Sequence, residues 1–95
     1  MTPEEEVRRA GKAREILENE MFKESFAAIE SAILMGLRQS ALKDAEMREK
    51  LVARYDILHT LRDQLQSHME SGVLALEEIR QKSLIGQGEW NAVDQ

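Results

Sequence analysis

The chain predicts an all-α fold: a long antiparallel helical hairpin with a kinked N-terminal arm, suited to oligomerisation. Three observations lead there. Apolar residues recur at Phe22, Phe26, Ile29, Ile33 and Leu37, and again at Leu51, Tyr55, Leu58, Leu65, Met69 and Val73. Steps of three, four or seven line one face of a helix with apolar side chains. A single proline and five glycines leave long helical runs uninterrupted. The break between the two series, Gln39 to Asp44, is short enough to make the flanking helices antiparallel neighbours.

The first helix starts at Thr2-Pro3. Thr2 is an N-cap, Pro3 suits the first helical position, and Glu4, Glu5 and Glu6 meet the positive end of the helix dipole. Thr2 and Glu5 also have capping-box spacing. The apolar positions Val7, Ala10, Ala13, Ile16 and Leu17 carry this helix to about Leu17. Stepping back by sevens from Phe22 and Phe26 lands on Glu15 and Asn19, so the stripe slips phase around Glu18-Asn19-Glu20. A kink or a stop and restart is expected there, with Asn19 as the cap of the second helix.

The second helix, about 20–38, carries the large stripe and a small one, Ala28, Ala32 and Gly36. Small residues four apart let a neighbouring helix approach closely. Met21, Leu34 and Met35 widen the apolar surface, which points to more than one neighbour. Asp44 caps the third helix, which can run from about 45 to 81. That length is roughly 55 Å, against roughly 25 Å for the second helix, so one long helix faces a kinked arm. Gly72 marks a close contact or a bend. Beyond Lys82 the pattern dissolves, which divides the chain into a hairpin domain, 1–82, and a flexible tail, 83–95. Trp90, the sole tryptophan, is the tail's candidate anchor for a partner.

Composition narrows the function. Charged residues make up 33% and the net charge is −5, which disfavours double-stranded DNA. There is no cysteine, hence no disulfide and no thiolate metal site. No apolar run reaches the roughly 18 residues of a membrane span. The acidic start is the reverse of a signal peptide, so a cytoplasm is the expected location. Glycine-rich phosphate loops, serine elbows and cysteine nucleophiles are missing, and neither an enzyme nor a cofactor is expected. Asp56 and His59 have the carboxylate-x-x-His spacing of di-metal bundles, but without a second copy they read as a solvated helix face. The pairs Glu4–Arg8, Glu5–Arg9 and Arg14–Glu18 have helical spacing and also read as a solvated face.

The nine stripe residues, Phe22, Phe26, Ile29, Ile33, Leu37, Leu51, Leu58, Leu65 and Met69, form the expected core and oligomer interface. Tyr55 lies among Arg48, Arg54 and Arg62. An aromatic ring beside guanidinium groups can stack on a base and hold a phosphate, so Arg54, Tyr55 and Arg62 are the candidate contacts for a small nucleotide.

The stretches Ile16 to Phe26 and Asp44 to Leu51 resemble a family of small helical-hairpin proteins of tailed bacteriophages and prophages. That family opens with "ILxNxxFxxA" and starts its second long helix with "DxxxREKLW"; Ser71-Gly72-Val73-Leu74 resembles its "GKL"-like end. The chain departs from the pattern at Leu51-Val52, where the family has a tryptophan, and at Glu20, where it often has a proline. The resemblance, over roughly 16–75, implies a phage origin and a helical hairpin, and carries over no catalytic residue. The expected function is protein–protein assembly in the host cytoplasm or a virion, as a virion or virion-assembly accessory with copies of itself or other phage proteins as partners. The alternative is an anti-defence protein that binds a small nucleotide or inhibits a host protein.

Overall fold

The computed structural model describes the backbone of residues 1–94 and the side chains of residues 1–84. Three α-helices and no strand are present among the described residues: α1 (Pro3–Glu18), α2 (Glu20–Gln39) and α3 (Ala45–Asp94). The fold is all-α.

Each boundary has a side-chain cause. Thr2 Oγ1 accepts from the Glu5 N–H at 3.2 Å, with Pro3 next in line, and so satisfies an otherwise orphaned donor of the first turn. Asn19 alone separates α1 from α2. Its backbone is extended (φ −66°, ψ 127°), and its N–H donates to Ile16 O at 3.2 Å while its Oδ1 accepts from the Phe22 N–H at 3.0 Å. One residue thus closes one helix and opens the next, where the apolar stripe slips phase. Asp44 opens α3 by accepting from the Met47 N–H at 3.2 Å. At the end of α2, Ser40 is extended and its N–H donates to Gly36 O at 2.9 Å.

The C-terminal end of α3 lies beyond the position near residue 81 expected from the pattern. Most of the 83–95 segment, including Trp90, lies outside the described side chains.

Both shorter helices lie along α3, α1 far more extensively on α3 than on α2. The molecule measures 78 × 26 × 18 Å. The long dimension is that of a fifty-residue helix, about 75 Å at 1.5 Å per residue. α1 sits over the stretch near Gly72, where an added Cβ would overlap the Cβ of Ala10. Gly72 therefore marks a close contact and lies within a continuous helix. α2 touches the first half of α3, where a Cβ added at Gly36 would lie 3.1 Å from Leu51 Cδ1. Of the small stripe, Gly36 makes the close approach, whereas Ala28 and Ala32 are exposed.

The interior is thin. Ala10, Ala13, Ile33, Leu51 and Ala75 are the buried apolar residues among those described. The ion pairs among the described residues join Lys50 to Glu46, Arg80 to Glu77 and Lys82 to Glu78. None of the pairs anticipated in α1 is closed.

Candidate functional site

The α2–α3 contact leaves an apolar groove of about 510 Å³ on one flank. Ile29, Ala32 and Ile33 of α2 line it, with Leu51, Arg54, Ile57, Leu58 and Leu61 of α3. The helix period puts these residues together: 29, 32 and 33 share one face of α2, and 51, 54, 58 and 61 step by three or four along α3. Ile57 is 71% exposed, Leu61 52% and Ile29 49%. These are large side chains held at the surface side by side, and Arg54 is the single charged residue among them.

The opposite flank of the same contact is polar and aromatic. Phe26 and Glu30 of α2 meet Tyr55, His59 and Arg62 of α3. Arg62 can only donate, so its bond of 3.0 Å to His59 Nδ1 leaves that nitrogen unprotonated. The ring hydrogen then sits on Nε2 and donates to Glu30 Oε2 at 2.6 Å. The histidine packs edge-on to Phe26 with ring centroids 5.4 Å apart, and lies 4.2 Å from the Tyr55 ring. The Arg62 guanidinium lies over the Phe26 ring at 4.9 Å, within cation–π range. These groups satisfy one another and fix how α2 sits on α3.

Sequence reasoning placed His59 and Asp56 on a solvated face. Asp56 is exposed, but His59 is half-buried and bonded on both ring nitrogens, which corrects that expectation for the histidine. Spacing along α3 could not show this, because the partner Glu30 belongs to another helix. The available signal was Glu30 one turn after Phe26, facing His59 one turn after Tyr55. Of the nucleotide candidates, Tyr55 and Arg62 meet at His59, while Arg54 lines the groove on the other flank. Arg48 is engaged elsewhere: its guanidinium donates to Leu37 O at 2.9 Å and to Ser40 Oγ at 2.8 Å, clamping the carboxyl end of α2.

The expected interface residues divide. Ile33 and Leu51 are buried within the chain. Phe22, Phe26, Leu37, Leu58, Leu65 and Met69 are half-buried, and Ile29 is exposed. Ile57 and Leu61, absent from the expected stripe, supply the most exposed part of the groove. Among the described residues, no group of three or more His, Asp or Glu side chains could hold a metal ion, and no helix is long and apolar enough to cross a membrane.

No family model matches the chain, and neither a curated protein nor a solved structure matches it.

Proposed function

We propose that this protein works by non-enzymatic assembly, as a helical hairpin that associates through its open apolar surface. The observation that supports this is surface area. A compact monomer of 10.9 kDa exposes about 5,600 Å² by the usual scaling. This chain exposes 7575 Å², roughly 2,000 Å² more than that scaling gives. Chains this small rarely stand on so thin an interior without a metal, disulfides or association. This one has no cysteine.

Of the large apolar side chains lining the groove, Ile29, Ile57 and Leu61 are the exposed ones. Ile33 is 5% exposed, so a charge placed there would report on folding rather than on association. The setting proposed for the assembly is a tailed phage, as a virion or virion-assembly accessory, and it rests on the resemblance over roughly 16–75.

Light scattering at two protein concentrations tests the assembly reading. A fixed multiple of 10.9 kDa is expected. A folded monomer at both concentrations would overturn it.

A further inference from the structure

The stripe along α3 is one surface with two different fates. From Leu51 it steps through Arg54, Leu58, Leu61, Leu65, Met69 and Gly72, always by three or four residues, and so stays on one face. Around Gly72 that face is covered, because α1 lies on it in close contact. Around Leu61 it is not covered, because the break at Asn19 takes α2 to the side, where Glu30 and Phe26 hold His59. The groove is therefore the continuation of a helix seat that α1 already occupies at the other end.

We propose that a second copy of this chain fills the seat. The two grooves pack face to face about a two-fold axis perpendicular to α3, so that the α2–α3 pairs form an antiparallel four-helix arrangement. This rests on the assembly reading and gives it a geometry and a stoichiometry. A symmetric contact requires a self-complementary patch. The groove is one, since both its walls are apolar and its one charged residue, Arg54, has a long stem that can lie along apolar surface with its head at the rim. The whole elongated chain carries a surplus of roughly 2,000 Å². A standard interface takes about 800 Å² from each partner, so one such contact brings the chain closer to a compact one without covering all of its excess surface. The large side chains Ile57, Leu58 and Leu61 suit this contact. They hold helices further apart than the glycine–alanine contact beneath α1, and leave room for side chains of the other copy to interdigitate.

Two variants read the proposal out. Ile57→Arg puts a charge at a position 71% exposed within the chain, and Leu74→Arg does the same at one 73% exposed in the other half of α3. By light scattering the parent and Leu74→Arg are expected at twice 10.9 kDa, and Ile57→Arg at the monomer mass with its helical circular dichroism retained. Should Ile57→Arg lose its helices, crosslinking in the cysteine-free chain decides. A short bis-maleimide is expected to join Ile57→Cys copies and not Leu74→Cys copies, whose thiols would lie roughly 50 Å apart in the antiparallel pair. A dimeric Ile57→Arg, or efficient crosslinking through Leu74→Cys alone, would overturn the groove interface and leave the assembly reading standing. A parent of higher mass than a dimer would overturn the closed pair. A monomeric parent would overturn both readings, and the groove would then be a seat for a helix of a different protein.

Discussion

Replacing Gly72 by alanine separates two opposed effects. In an open helix the change stabilises by about 1 kcal/mol, because glycine is the poorer helix former. Here the new methyl would lie less than 3.0 Å from the Cβ of Ala10, with Glu6 O at 3.6 Å and Ala10 Cα at 3.7 Å. Carbon atoms pack best at about 3.5–4.0 Å. Neither Cβ can rotate away, since each is fixed to its backbone, so α1 must retreat as a body. Overpacking of this kind costs about 1–3 kcal/mol. Set against the propensity gain, the expected net result is a loss of up to about 2 kcal/mol. Urea unfolding followed by far-ultraviolet circular dichroism at one fixed protein concentration measures it. Gly11→Ala is the control: nothing lies within 4 Å of its added methyl, and it is expected to stabilise by about 1 kcal/mol. Adding Ala10→Gly to Gly72→Ala should recover part of the loss, giving a favourable coupling of about 1 kcal/mol. If Gly72→Ala stabilises as much as Gly11→Ala does, α1 does not sit on α3 at this point and the reasoning fails.

Three further outcomes are expected from the same unfolding assay. Asn19→Ala should cost about 1 kcal/mol through loss of the bond to the Phe22 N–H; an unchanged midpoint would mean that the restart of α2 does not depend on its cap. Arg48→Ala should cost about 1–3 kcal/mol by releasing Leu37 O and Ser40 Oγ, and Arg48→Lys, with a shorter reach and no fork, should recover only part. Glu30→Gln should stay within about 0.5 kcal/mol of the parent, because the amide oxygen can still accept from the neutral His59 ring, whereas Glu30→Ala should lose about 1 kcal/mol. A Glu30→Gln loss as large as that of Glu30→Ala would contradict the neutral assignment.

The helix boundaries were legible because each is set locally. Thr2, Asn19 and Asp44 carry an acceptor at the place where the apolar period starts or slips, and no distant residue is needed to see it. The placement of α2 on α3 was not legible, since it depends on which side of a long helix the second arm takes. His59 with Glu30 and Arg48 with Leu37 are contacts between helices, 29 and 11 residues apart in sequence. The seat of α1 was legible in part: Ala10 and Ala13 stand at apolar positions of the first helix and Gly72 marks a close contact, but their pairing did not show. Periodicity weighs large apolar residues, whereas Ala10, Ala13 and Ala75 become interior because small side chains let two backbones approach. The groove was half legible. Ile29 and Leu58 stand in the expected stripe; Leu61 fits its spacing between Leu58 and Leu65 but is not needed to define a seven-residue step, and Ile57 falls one position outside it.

The extended backbone at Asn19 has a consequence for how the molecule comes apart. α1 rests on α3 through Ala10 against Gly72, and α2 rests on it through Gly36 against Leu51, more than twenty residues away along the same spine. The chain therefore has two small interiors threaded on one rod, coupled by the rod and by a single non-helical residue. Either arm can lift while the other stays seated, which is local opening of the kind that native-state hydrogen exchange resolves. Amides of α1, whose seat on α3 is the closer and the more extensive, should outlast those of α2, which is held mainly by Ile33 and Leu51 and by the Glu30–His59 and Arg48 bonds.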